Sequence, residues 1–103
     1  MNRITEAYLL TETITKDSHG QSIPTVTKVP VIGKAHSVYQ REFYQAEQNG
    51  IRLMGVLEIS WFDYGKQETL EIDGETYTIY RTYESGTDRI DLYYGKRVGD
   101  GKK

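Results

Sequence analysis

The side chains with the means to do chemistry are two histidines and a scatter of carboxylates. His19 stands beside Asp17 in a polar, glycine-containing stretch, and His36 lies near the end of an apolar one. A zinc site draws about four N, S or O ligands together. No HxH or HExxH spacing occurs, so His19 reads as a solvated turn residue and His36 as a polar strand-end residue. The chain has no cysteine, which removes disulfides, thiolate-held zinc, iron–sulfur clusters and thiol nucleophiles together. Glu42 with Glu47 and Asp88 with Asp91 are carboxylate pairs. Catalytic pairs need a cleft that drives their pKa values apart. A chain of 103 residues leaves little room for a cleft, and these pairs read as solvated faces. There is no GxSxG and no P-loop; Asp73-Gly74 lacks the alternating ligands of a calcium loop. The expectation is a chain that is not an enzyme and holds no metal or cofactor.

The charge balance narrows the partners. Thirteen Lys and Arg against fifteen Asp and Glu leave a net charge of −2. Non-specific DNA binding runs on net positive charge. The basic residues Lys28, Lys34, Arg41, Arg52, Lys66, Arg81, Arg89, Lys96 and Arg97 are spread out among acids, as on a mixed soluble surface. No apolar run is long enough to span a membrane, and the first residues, Met1 to Glu6, lack the apolar stretch of a signal peptide. Synthesis and use in the cytoplasm of the producing cell are expected. Nine tyrosines accompany two phenylalanines and one tryptophan. Tyr suits half-buried β positions and contact surfaces equally. Apolar residues make up only 37% of the chain, so partner surfaces are expected to supply part of its stability.

The elements that must position these groups are mostly strands. Residues 4–15 alternate, with Ile4, Tyr8, Leu10 and Ile14 on one parity. Asp17 to Ser22 is a turn cluster. A second extended stretch runs over 25–37, with Val29, Val31, Gly33 and Ala35 on one face and a close packing approach at the small residues. Pro24 and Pro30 put it at an edge or break it near Pro30. Tyr39, Phe43 and Ala46 fall on one helical stripe, so a short helix is expected over 39–49, with Ser37 and Gln40 as a capping box and Gly50 as its left-handed stop. Residues 51–63 return to period two, with Leu53, Leu57, Ile59 and Trp61 on one parity and Met54, Val56 and Phe62 on the other. Leu70 and Ile72 mark a short strand, and Asp73-Gly74 a two-residue hairpin turn. Tyr77, Ile79 and Tyr83 share a face of the next strand; Ile90, Leu92 and Tyr94 make the last. The reading is mainly β: a small antiparallel β-barrel or sandwich of about six strands with one short inserted α-helix. It forms one domain over 1–97, followed by a flexible tail over 98–103.

The stretch Ser37-Val38-Tyr39-Gln40-Arg41-Glu42-Phe43-Tyr44-Gln45-Ala46 resembles the opening of the helix in tailed-phage head–tail adaptor proteins, the head closure or head completion family. The pieces that follow keep the family's order. They are Gly50, the aromatic-Asp-Tyr run Trp61-Phe62-Asp63-Tyr64, the hairpin around Asp73-Gly74, the strand Tyr77-Thr78-Ile79-Tyr80-Arg81-Thr82-Tyr83 and the final Ile90-Asp91-Leu92-Tyr93-Tyr94. The resemblance covers about residues 5–96. Gln40-Arg41 departs from the Arg-Ser expected before Glu-Phe.

The resemblance implies a structural virion protein at the head–tail interface, made in the cytoplasm of a bacterial host. Such proteins join a portal-side adaptor ring, assemble as rings, commonly of twelve copies, close the DNA exit channel and offer the tail tube or a tail completion protein its docking surface. They touch packaged DNA only sterically. Arg41, Glu42 and Tyr44 are then the expected subunit contacts, while Phe43 and Ala46 seal one end of the β domain. Gln48, Asn49, Gly50 and Arg52 are the expected channel-lining residues, with the turn at 17–22 as the other candidate. The chain ends are candidates for reaching adjacent rings. A tail completion or terminator protein is the alternative within the same particle, and an OB-like binder of single-stranded nucleic acid lies outside it.

Overall fold

The turns at Asp17–Ser22, Asp73-Gly74 and Ser85–Asp88 each join two antiparallel neighbours in the computed structural model, which describes residues 3–98. The strands are β1 (Arg3–Lys16), β2 (Ser22–His36), β3 (Ile51–Ser60), β4 (Thr69–Ile72), β5 (Glu75–Glu84) and β6 (Arg89–Arg97). One helix, α1 (Gln40–Gln48), sits between β2 and β3, and Trp61–Asp63 form a short 3-10 turn. The order round the sheet is β1-β2-β3-β6-β5-β4. Residues Tyr8 to Leu10 of β1 pair with Glu71 to Thr69 of β4, which closes the ring. Six antiparallel strands with one inserted helix are what the alternation predicts, and the ring closure takes the barrel form of the expected barrel or sandwich. At the β4–β5 turn Asp73 and Gly74 both have positive φ (53° and 81°), the type I′ geometry of a two-residue hairpin.

Ala7, Leu9, Val31, Leu57, Ile59, Leu70, Ile90 and Leu92 fill the barrel interior. Gly33 lies in this wall because nothing larger fits. A Cβ there would stand 2.4 Å from the Glu58 carbonyl oxygen and 2.8 Å from the Ile59 side chain. This is the close approach that the run of small residues in β2 implies.

Two β-bulges redirect the alternation and overturn two face assignments. In β3, Leu53 lies opposite Gly95 but Gly55 lies opposite Tyr94, so Met54 is an extra residue. Leu57 and Ile59 therefore point into the barrel, whereas Ile51 and Leu53 point outward, where they pack with Ala46 of α1 in a second small core. In β5, Ile79 faces Tyr94 and Arg81 faces Tyr93, so Tyr80 is extra. Tyr77 and Ile79 face inward, while Tyr83 ends up exposed on the outer side. A bulge switches parity because one inserted residue moves every later side chain to the opposite face. β3 also stops at Ser60, earlier than the period-two run suggests. The Ser60 hydroxyl accepts from the Phe62 N–H (3.3 Å) and starts the 3-10 turn, so Trp61 and Phe62 leave the sheet.

Other expectations shift for local reasons. β2 is unbroken at Pro30, which lies opposite Tyr8 as Pro24 lies opposite Ile14. Both prolines share a parity, so their nitrogens fall where β1 requires no donor. The helix lacks the Ser37–Gln40 capping box: Tyr39 is the N-cap residue, and no side chain caps the end. Of the stripe Tyr39, Phe43, Ala46, only Ala46 is buried; Phe43 is 42% exposed. Five tyrosines (64, 77, 80, 93 and 94) pack half-buried against the two cores, and four (8, 39, 44 and 83) are exposed, so both uses of Tyr are present. The Val98 N–H donates to the Gly50 carbonyl (2.7 Å), tying the end of the barrel to the end of α1. The rest of the expected tail, 99–103, lies outside the described residues.

Candidate functional site

The helix brings Arg41, Glu42 and Tyr44 to one region but gives them different surroundings. Arg41 and Tyr44 are exposed, as is Tyr39 one turn earlier. Glu42 turns the other way. Its carboxylate accepts two hydrogen bonds from Arg81 (2.7 and 3.3 Å), and its side chain is 13% exposed. Arg81 in turn stacks over the Tyr93 ring at 4.1 Å. The hydrogen bonds to Glu42 hold the Arg81 pKa above its ordinary value. Glu42 therefore docks α1 onto its own barrel, and Tyr39, Arg41, Phe43 and Tyr44 are the aromatic and basic residues of the helix region left exposed.

Gln48, Asn49, Gly50 and Arg52 do not form an extended loop. Gln48 is the last residue of α1, Asn49 and Gly50 make the turn, and Arg52 is an exposed residue of β3. Gly50 has φ +79°, as a left-handed helix stop requires. The Asn49 side-chain amide donates to the Gln45 carbonyl (2.9 Å) and to the Tyr80 hydroxyl (3.4 Å). This turn is tied to both the helix and β5.

The 17–22 turn has a different setting. β1 and β2 pair along their whole length, from Arg3 with Ala35 to Lys16 with Ser22. Among the described residues, β1 beyond Leu10 has no strand partner but β2, and β2 meets β3 only at Lys34 to His36. Residues 11–16 and 22–27 therefore project as a two-stranded arm, roughly 20 Å long at about 3.3 Å per residue. No residue from Thr11 to Pro30 is buried. The arm ends in a braced turn, where the Asp17 carboxylate accepts from the His19 and Gln21 N–H groups (2.9 Å each). His19 is thus a turn residue. The radius of gyration, 15.1 Å, exceeds the roughly 13 Å of a compact chain of this size.

One outer face runs from the barrel onto this arm and carries exposed apolar side chains among charged ones (Glu6, Glu12, Lys16, Lys28 and Lys34). Even-numbered residues of β1 and β2 point outward together, so Ile4, Ile14, Val26 and Ile32 are all more than half exposed. Tyr8 lies among them, with Lys28 above its ring and paired to Glu71 (3.0 Å). The parity of Ile4, Tyr8 and Ile14, apolar in the sequence, is thus the outward one, and the interior of β1 is made by Ala7 and Leu9. Sequence reasoning missed this face because alternation shows that two faces differ and not which one is inside. The available signal was the pair of prolines on the matching parity of β2.

Among the described residues one cluster could hold a metal: His36, Glu58 and Asp91, on the outer face of β2, β3 and β6. Its ligands are 22 and 33 residues apart, so no local motif announces it. No protein-family model matches the chain, and no curated protein sequence matches it.

Proposed function

We propose that this chain is a structural subunit of a tailed-phage head–tail connector. In this reading it joins a portal-side adaptor ring, closes the DNA exit channel of the filled head as part of a ring of its own copies, and presents the docking surface for the tail. It acts by steric closure and ordered assembly, with no catalytic step. The observation that supports it most is the β1–β2 arm. An isolated two-stranded ribbon is marginal in water. This one carries unpaired strand edges and exposed apolar side chains such as Ile14 and Val26, features that globular proteins usually blunt. Neighbouring copies or rings would cover both. The exposed Tyr39, Arg41, Phe43 and Tyr44 of α1 would give a second contact, and the resemblance carried by residues 37–46 and the strands after them points to the same assembly.

Cosedimentation with DNA-filled, tailless heads, scored together with DNA retention, tests this reading. Stoichiometric binding that stops leakage is expected. A variant with residues 13–25 replaced by an Asn-Gly turn should keep the barrel and lose head binding. Binding to tail tubes instead would make the chain a tail completion protein. Salt-sensitive binding of a labelled oligonucleotide would favour the single-strand reading.

A further inference from the structure

We propose that His36, Glu58 and Asp91 form a binding site for one divalent transition-metal ion, with Zn2+ the best fit. One donor atom from each lies within 4.8 Å of the others. They come from the outer faces of three neighbouring strands. Glu58 and Asp91 are direct partners in the β3–β6 register, and His36 stands opposite Val56, two residues from Glu58, in the β2–β3 register. Like charges directly opposed across a ladder are unfavourable unless something neutralises them.

The existing partners neutralise only one of the two carboxylates. Glu58 receives Arg89 Nε on one oxygen (3.0 Å) and contacts His36 Nε2 with the other. Asp91 Oδ1 is sealed from solvent and has no hydrogen-bond partner among the described residues. An orphaned buried carboxylate oxygen is costly and rare in a native fold. Lys34, also opposite Glu58, is exposed. The group that would satisfy Asp91 and both neighbours is a cation seated among the three.

Geometry and donor chemistry agree on the class. Bonds of about 2.0–2.2 Å place tetrahedral ligand atoms roughly 3.3–3.5 Å apart. His36 and Glu58 must part slightly and Asp91 must turn inward, which side-chain rotation supplies. One imidazole and two carboxylates suit zinc and its first-row neighbours; Ca2+ and Mg2+ take six or more oxygens. The cluster opens into a surface recess of about 500 Å3 that Ser37 and Ser85 also line, leaving room for a water as fourth ligand. Metal ligation requires a neutral imidazole and ionised carboxylates, so the ion competes with protons for these donors.

The location gives the ion a task. β2 meets β3 through only three residues, Lys34 to His36, yet β2 carries the arm. An ion bridging β2, β3 and β6 would pin that short seam and fix the root of the arm.

The test is calorimetric titration of the untagged, chelator-stripped chain with Zn2+ at pH 7.5, and with Co2+ read by visible absorption. One ion per chain is expected, with the melting temperature raised by about 10 °C at a hundredfold excess over Kd. His36→Gln and Asp91→Asn should each weaken binding roughly tenfold or more, and His19→Gln should not. Lowering the pH to 5.5 should weaken it as the ion competes with protons. If His36→Gln fails to fold, Asp91→Asn decides alone, since it keeps the side chain's shape. Absence of saturable one-to-one binding would overturn the proposal. So would binding that survives Asp91→Asn, is lost in His19→Gln, or does not change with pH.

Discussion

The two halves of β1 and β2 form one continuous hairpin with opposite fates. In the barrel half, Ala7, Leu9 and Val31 are almost wholly buried and the strands have β4 and β3 on their far sides. In the arm half the backbone pairing continues unchanged, yet nothing is buried and no third strand joins. Backbone hydrogen bonds are therefore common to both halves, and burial is what separates them. The barrel half has the means to hold the fold. The arm half adds little to the isolated chain's stability, which leaves its surface for contacts with other molecules.

The contrast breaks most visibly at Gly33. Gly33→Val places atoms against a backbone carbonyl that cannot retreat, and a loss of more than about 4 kcal/mol is expected. Thr27→Val, six residues away on the arm, should stay within about 0.5 kcal/mol in the same urea titration. Leu9→Ala sharpens the comparison by opening a cavity worth about 2–4 kcal/mol, whereas Ile14→Ala should leave the isolated chain's stability nearly unchanged. An equal loss at Leu9 and Ile14 would mean that the arm packs against the barrel in solution. Glu42→Ala should cost about 1–2 kcal/mol by freeing α1 from Arg81, read from the denaturation midpoint. The smallest effect concerns pH. The hydrogen bond from His36, helped by Arg89, lowers the Glu58 pKa below its usual 4.5. The stabilisation is present above the unfolded value and is lost as pH falls through the folded one. Stability should therefore decline with acid below about pH 4.5, and less steeply in Glu58→Gln, read from urea midpoints across that range.

A β-rich chain with a helix expected over 39–49 and found at 40–48, a hairpin at Asp73-Gly74 and a close approach at Gly33 was legible in residue order, because each depends on local period or turn chemistry. The face assignments of β3 and β5 were not, since Met54 and Tyr80 carry no mark of being the extra residue. In place of a capping box, helix α1 is held by Glu42–Arg81, 39 positions apart, and by Ala46 against the nearby Ile51 and Leu53.

The candidate sites divide in the same way. Arg41 and Tyr44 stand out as exposed helix residues, as their spacing from Ala46 implies, but Glu42 was claimed by a partner 39 positions away. Glu58 showed itself only as the one acid in an apolar strand, and Asp91 as one acid of a turn-side pair. The sequence by itself determined which segments extend, which coil and where they turn, because those preferences act between near neighbours. Only the tertiary structure decided which parity became the interior, where the hairpin left the barrel and which acids met His36. Those outcomes depend on ring closure and on two inserted residues that reset the alternation, and both are properties of strand pairing across the whole chain.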